Sequence, residues 1–129
     1  MGLFNSIFSN SNNQSLQEAI NWINLTNLDE ITDIKTLSTS ESIFIFKHST
    51  RCGISRIVKK QFEKLLLPNN NNVKVYYLDL LKYRNVSDAL SEVFQVRHQS
   101  PQLLIIRNGV AVKHASHYDI TTISINKYL

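Results

Sequence analysis

A short apolar run, followed by a turn, a cysteine and an amphipathic helix, constrains the fold of this chain more than any other feature. Residues 42–46 (Ser-Ile-Phe-Ile-Phe) are rich in β-branched and aromatic side chains, which predicts one buried strand. The run breaks at Lys47, and Cys52, the only cysteine in 129 residues, follows shortly after. The pattern therefore predicts a cysteine at the start of a helix, directly after a central strand.

The residues after the cysteine have helical spacing. The face that we expect to be buried consists of Ile54, Ile57, Val58, Phe62, Leu65 and Leu66. The opposite, largely basic face consists of Arg56, Lys59, Lys60, Glu63 and Lys64. This basic face either steers an acidic partner or is simply solvated. Pro68 ends the helix, because the residue before a proline disfavours the α conformation.

The start of a helix favours a reactive cysteine. The first amide N–H groups have no intrahelical partner, and the macrodipole adds partial positive charge there. Both favour the thiolate, which is the nucleophilic form of cysteine. Arg51 adds a positive charge beside Cys52, and Gly53 leaves room for a ligand near the sulfur. The alternative is a buried, unreactive cysteine, which a strand-to-helix turn among cations disfavours.

Size and charge exclude several classes of protein. A mass of 14.9 kDa, with 43% apolar and 19% charged residues, is typical of one globular domain. No apolar run approaches the roughly 18 residues of a membrane span. The net charge of +4 is moderate: it is compatible with an acidic ligand or a nucleic acid, but such a charge more often reflects a solvated face. We therefore expect no nucleic acid as a partner, and no membrane. One cysteine excludes an internal disulfide, which favours a reducing, cytoplasmic setting.

The chain divides into an N-terminal segment and linker (residues 1–15) and a single domain (residues 16–129). The apolar residues among the first eight predict one helical turn that docks on the domain, although Gly2 and Ser6 also fit the loose N-myristoylation pattern. Residues 9–15 are rich in Ser, Asn and Gln, which is typical of a linker.

The rest of the domain alternates between strands and helices. Residues 22–25 form a short extended segment, and a capping box at Thr26 or Asn27 begins a helix that reaches Leu37. Further strands are predicted at residues 73–79, 102–107 and 110–115. Two more helices are predicted, one capped by Asn85 and a short final one capped by Asp119 or Thr121. Asn108-Gly109 predicts a type I′ hairpin between the last two strands.

From Ser42 onward the predicted order is β-α-β-α-β-β-α. This is the order of the thioredoxin-like fold, an α/β architecture with a four-stranded mixed sheet flanked by helices, here with an N-terminal helical extension. In that fold a proline at the position of Pro101 is cis and lies beside the active cysteine, where Ser100 presents backbone groups to an extended partner. The alternative is a proline that simply begins a strand.

Separated blocks of this sequence resemble the YtxJ-like monothiol bacilliredoxins. They are residues 47–55 (Lys-His-Ser-Thr-Arg-Cys-Gly-Ile-Ser), 98–102 (His-Gln-Ser-Pro-Gln), and 106–109 followed by 114–117. The resemblance implies that the protein removes bacillithiol, a small acidic thiol, from mixed disulfides on proteins. It also implies S-thiolated proteins and a low-molecular-weight thiol as partners, with no tightly bound cofactor or metal. The usual family motif has a proline after the cysteine, where this chain has Gly53.

Ser55 occupies the position at which dithiol oxidoreductases carry a resolving cysteine. Exchange would therefore be monothiol, with Cys52 as the catalytic residue and an external thiol to regenerate it. The Ser55 hydroxyl either donates to the thiolate or satisfies a backbone N–H, and both remain open. The residues expected to bind substrate are Thr50, Arg56, Ser100 and Pro101.

Two other functions are ranked lower. Cys52-Gly53 also resembles the signature of monothiol glutaredoxins, which bind a bridging iron–sulfur cluster, but those proteins carry a Gly-Gly pair where Ala115-Ser116 stands. A cluster-binding role, or a non-catalytic adaptor on the same fold, is the second hypothesis. A zinc site from Cys52, His114 and His117 is disfavoured, because the spacing of the two histidines on a strand end directs their rings to opposite faces.

Overall fold

The computed structural model describes residues 20–129, except for the side chains of residues 70–72. The strands are β1 (Trp22–Asn24), β2 (Ile43–His48), β3 (Lys74–Asp79), β4 (Gln102–Arg107) and β5 (Val110–Ser116). The helices are α1 (Asp29–Leu37), α2 (Gly53–Leu66) and α3 (Arg84–Phe94). Short 3₁₀ segments span Leu67–Asn72, His117–Thr122 and Ile125–Tyr128. The predicted helical turn, the myristoylation pattern and the linker of residues 1–15 lie outside the described residues.

The strands form one mixed sheet in the order β1-β3-β2-β4-β5. β2 is central, parallel to β3 and antiparallel to β4, and β5 pairs antiparallel with β4. This confirms the predicted thioredoxin-like α/β fold. The sheet has one strand more than the four predicted, because Trp22–Asn24 pairs in parallel with β3.

The alternating side chains of β2 point into two separate cores. Ile43 and Ile45 pack with side chains of α1 and α3 on one face of the sheet. Phe44 and Phe46 pack with α2 and the C-terminal 3₁₀ segments on the other face. The sheet is therefore covered on both faces, and the C-terminal end of β2 emerges between the two layers. No helix within residues 20–129 has the length and apolarity needed to cross a membrane.

α2 buries a narrower stripe than predicted. Its buried side chains are Ser55, Val58, Phe62 and Leu66, whereas Ile54, Ile57 and Leu65 are 44%, 50% and 38% exposed. The prediction that these last three residues are buried was wrong. Residues spaced by three and four lie on one line along a helix, and α2 contacts the sheet along a single such line.

Several element ends also differ from the prediction. β2 continues through Lys47 and His48, which are both buried, instead of ending at Phe46. α3 is capped by Tyr83 and not by Asn85. The single final helix is replaced by two 3₁₀ segments.

The two predicted turn motifs are confirmed. Asn27 and Glu30 form a capping box before α1: the Glu30 N–H donates to Asn27 Oδ1 at 3.2 Å, and the Asn27 N–H donates to Glu30 Oε1 at 3.2 Å. Asn108 and Gly109 have φ angles of 53° and 78°, the positive pair that a type I′ hairpin requires. The residues that define each motif are close in sequence, which explains why the pattern predicts them. At the hairpin, the N–H groups of Asn108 and Gly109 also donate to the distant Ser38, to its O at 2.7 Å and its Oγ at 2.8 Å.

Candidate active site

Cys52 is the N-cap of α2, at the end of the turn that follows the central strand. Its backbone is extended (φ −103°, ψ 121°), and its N–H donates to Ser49 O at 3.2 Å. Its carbonyl accepts the Arg56 N–H at 3.2 Å, the first hydrogen bond of the helix. The residue is partly exposed. This arrangement is the predicted one, with an accessible thiol at a helix N-terminus.

Two arginines lie around this turn. Arg56 Nη1 donates to the carbonyl of Thr50 at 3.4 Å, so its guanidinium extends back over the turn from the helix. Arg51 precedes the cysteine and is exposed. A Cβ atom built on Gly53 would contact only Arg56 Nη2, at 3.8 Å, within 4 Å. A Cβ at position 53 would therefore meet only the guanidinium of Arg56, at ordinary van der Waals distance, apart from the adjoining backbone.

Ser55 is fully buried and its hydroxyl has two partners. The N–H of Ser49 donates to Ser55 Oγ at 3.2 Å, and Oγ lies 2.7 Å from Nδ1 of His48. Because Oγ accepts from Ser49, its own proton is available to a neutral His48. The sequence left two roles open for this hydroxyl: donation to the thiolate, or acceptance from a backbone N–H. The structure therefore favours the second role. The bond to His48 was not predicted.

His48 is kept neutral by its surroundings. Burial lowers the pKa of its imidazole, and the positive charges of Lys59 and Arg56 lower it further, against an opposing effect of Asp79 and Glu63. A neutral imidazole can accept the serine hydroxyl at Nδ1. The hydrogen bond between the Ser55 hydroxyl and the His48 imidazole therefore joins two neutral groups at neutral pH.

The predicted cis bond between Ser100 and Pro101 is confirmed. Pro101 is buried and directly precedes β4, whose first residue, Gln102, pairs with Lys47 near the C-terminal end of β2. The proline therefore lies at the edge of the sheet from which the cysteine turn leaves. Ser100 is partly exposed, and its Oγ has no hydrogen-bond partner among the described residues.

A buried lysine behind this edge was missed by the sequence analysis. Lys47 is 1% exposed, its Nζ lies 2.7 Å from Nδ1 of His98, and it donates to Gln102 Oε1 at 3.2 Å. Gln102 Nε2 in turn donates to Arg97 O at 2.9 Å. These contacts hold the segment between α3 and β4, which carries the cis-proline. The predicted strand ended at residue 46, whereas β2 continues to His48. A strand predicted to that length would have included Lys47 among the buried positions.

The chain matches the model of one protein family over residues 23–125, and that family is described as monothiol bacilliredoxin BrxC. A solved thioredoxin-fold protein with a proposed oxidoreductase activity is 30% identical, with a TM-score of 0.72, and the match covers 83% of this chain and 92% of that chain.

Two thioredoxins show the fold at lower identity. Mala s 13 of Malassezia sympodialis is 15% identical with a TM-score of 0.68, and the match covers 85% of this chain and 90% of that one. The thioredoxin of Trypanosoma brucei brucei is 14% identical with a TM-score of 0.65, with 82% and 85% covered. Because the family match spans most of the chain and includes the cysteine turn and the cis-proline, the protein belongs to the monothiol bacilliredoxins, a family of thioredoxin-fold redox enzymes.

Proposed function

We propose that the protein removes a low-molecular-weight thiol, bacillithiol or a similar acidic thiol, from mixed disulfides on S-thiolated proteins. The observation that carries this proposal is the pairing of Cys52, at the N-cap of α2, with a buried Ser55 at the resolving position. A nucleophilic cysteine without a second thiol in the chain can exchange one disulfide but cannot close an internal one. A cytoplasmic location fits this chemistry, because a pool of reduced small thiol must regenerate the enzyme.

The reaction consists of two exchanges. In the first, the Cys52 thiolate attacks the small-thiol sulfur of the mixed disulfide. That disulfide bond breaks, the protein substrate leaves as a thiolate and takes a proton from solvent, and a new disulfide joins Cys52 to the small thiol. In the second, the thiolate of a free small thiol attacks the small-thiol sulfur of this adduct. The disulfide bond to Cys52 breaks, Cys52 is released as the thiolate, and the two small thiols leave joined as their symmetric disulfide. One free small thiol is therefore oxidised for each substrate thiol that is released.

The residues around the cysteine support the first exchange. Cys52 is the N-cap of α2, and a helix N-terminus in general stabilises a negatively charged group. Arg51 precedes the cysteine, and Arg56 bonds to the carbonyl of Thr50 in the same turn, so two positive charges belong to this turn. The partly exposed Ser100, which the buried cis-Pro101 follows at the same edge of the sheet, offers backbone groups to an extended substrate segment.

Intact-mass spectrometry of both partners tests the proposal. The reduced protein is mixed with a model substrate that carries bacillithiol, and we expect the adduct to move from the substrate to Cys52. A Cys52→Ser variant should neither gain the adduct nor release it from the substrate. If the substrate loses bacillithiol while Cys52 never carries it, the monothiol route is wrong. If nothing is transferred and the protein purified without air contains iron and sulfide, the cluster-binding function replaces it.

A further inference from the structure

An open cavity of about 410 Å³ adjoins the turn that leads to Cys52. It lies between this turn and the turn from β3 to α3, and it is lined by Thr50, Arg51, Asp79, Leu81, Lys82 and Arg84. Its volume is within the range of roughly 300–1,000 Å³ that is typical of small-molecule sites. Two of the lining residues, Thr50 and Arg51, directly precede Cys52 in the same turn, although Cys52 itself does not line the cavity.

The cavity is strongly cationic. Arg51, Lys82 and Arg84 face one carboxylate, that of Asp79, whose Oδ1 accepts the Lys82 backbone N–H at 3.3 Å. Within residues 20–129, the ion pairs join other residues, so none of these three cations is neutralised by a salt bridge. Arg56, bonded to the Thr50 carbonyl, adds a further positive charge at the rim. Such a surplus of cations is complementary to a ligand with more than one negative charge.

We propose that this cavity binds the carboxylates of the small thiol whose disulfide Cys52 attacks, and thereby selects acidic thiols over neutral ones. The inference rests on the function proposed above and names the part of the site that recognises the thiol. Guanidinium groups bind carboxylates through paired, charge-assisted hydrogen bonds, which gives both affinity and orientation. With its carboxylates between the two turns, the ligand would have its sulfur directed towards the cysteine.

A double variant separates recognition from chemistry. Lys82→Gln with Arg84→Gln removes two exposed cations of the cavity and leaves Arg51, beside the cysteine, in place. Lys113→Gln with Arg107→Gln removes two exposed cations of the β4–β5 hairpin and is the matched control. Each protein is given the same model substrate, carrying either bacillithiol or the uncharged 2-mercaptoethanol, and the rate of adduct transfer to Cys52 is measured by intact mass.

We expect the cavity variant to transfer bacillithiol roughly fivefold to tenfold more slowly than the control variant, a loss of about 1–1.4 kcal/mol. Transfer of 2-mercaptoethanol should change by less than about twofold, and added salt should slow only the reaction of the acidic thiol. Equal rates for the cavity and control variants with bacillithiol would overturn the inference and leave the proposed function standing.

If the wild-type protein transfers neither thiol, the proposed function fails. Whether the cavity recognises an acidic thiol is then decided by a binding measurement instead of a transfer rate. Bacillithiol disulfide is then titrated into the Cys52→Ser protein and followed by amide chemical shifts. Changes centred on Lys82 and Arg84 would support the site, and changes elsewhere or none at all would refute it.

Discussion

Nζ of Lys47 lies 2.7 Å from Nδ1 of His98, and this contact joins the buried end of the central strand to the segment that carries the cis-proline. Burial lowers the pKa of Lys47 to about 8, against an opposing effect of Asp88. Burial also lowers the pKa of His98, and the charge of Lys47 lowers it further. The histidine is therefore neutral at pH 7, and its Nδ1 can accept the ammonium proton.

Because Lys47 is buried, the free energy of unfolding should change with pH in the alkaline range. A lowered folded-state pKa means that the unfolded chain binds the Lys47 proton more tightly, so the free energy of unfolding rises as the pH increases from about 8 towards the ordinary value of 10.5. The contribution over this range is on the order of 3 kcal/mol. In urea unfolding at several pH values, the stability of the wild type should rise relative to that of Lys47→Met over this range; the raised pKa values of Tyr76 and Tyr77 act in the opposite direction but in both proteins alike. Lys113→Met, at an exposed position, should follow the wild type, and parallel curves for wild type and Lys47→Met would contradict the prediction.

Ser55→Ala should destabilise the protein more than it slows the reaction. The substitution leaves the Ser49 N–H and His48 Nδ1 without their partner, at a cost of about 1–3 kcal/mol in the free energy of unfolding. Because the hydroxyl is bonded to these two groups, the rate of adduct transfer should fall less than about fivefold. Ser124→Ala, at an exposed position, is the control. A larger loss of rate with unchanged stability would show instead that the hydroxyl acts on the thiolate.

Ser55→Cys should convert the monothiol site into a dithiol site. Positions 52 and 55 are the N-cap and the third residue of α2, and side chains three residues apart in a helix are neighbours, with Cβ atoms about 5–6 Å apart. The small thiol should then be displaced from Cys52 by the new thiol and leave in its reduced form, so that the internal disulfide makes the protein roughly 2 Da lighter, the mass of two hydrogen atoms, than its reduced form. The double variant with Cys52→Ser should keep its full mass. Persistence of the adduct in the single variant would mean that the buried position cannot reach the sulfur.

Gly53→Pro should be tolerated. Position 53 is the first residue of α2, where proline removes no intrahelical hydrogen bond, and Cys52 already has the extended backbone that precedes a proline. A Cβ at this position meets only Arg56 Nη2, at 3.8 Å, and restriction of the unfolded chain should add about 0.4–1 kcal/mol to the free energy of unfolding.

Gly53→Ala is the matched control for this change, because it adds a Cβ and keeps the N–H. Both variants are compared by urea unfolding and by the rate of alkylation with iodoacetamide. If the Gly53 N–H supports the thiolate, the proline variant should be alkylated more slowly than the alanine variant at neutral pH. A loss of stability in the proline variant would contradict the extended backbone of Cys52 and the position of residue 53 at the start of α2.

The local sequence determined the features that depend on near neighbours. The strand before the cysteine, the start of α2 at Gly53, the capping box at Asn27 and the hairpin at Asn108 each follow from residues within a few positions of one another. The order of these elements was sufficient to predict the fold. Hydrogen bonds within one turn and the periodicity of apolar side chains are local properties, so a single sequence carries them.

The sequence left open which side chains of α2 are buried and which group pairs with Lys47. Only the tertiary structure decided both. Periodicity allowed Ile54 and Ile57 to be buried, but the orientation of α2 on the sheet buried Ser55 in the same layer as Val58. The partner of Lys47 is His98, 51 positions away. A buried polar group is stable only when distant parts of the chain bring it a partner, and that pairing exists only once the whole sheet has formed.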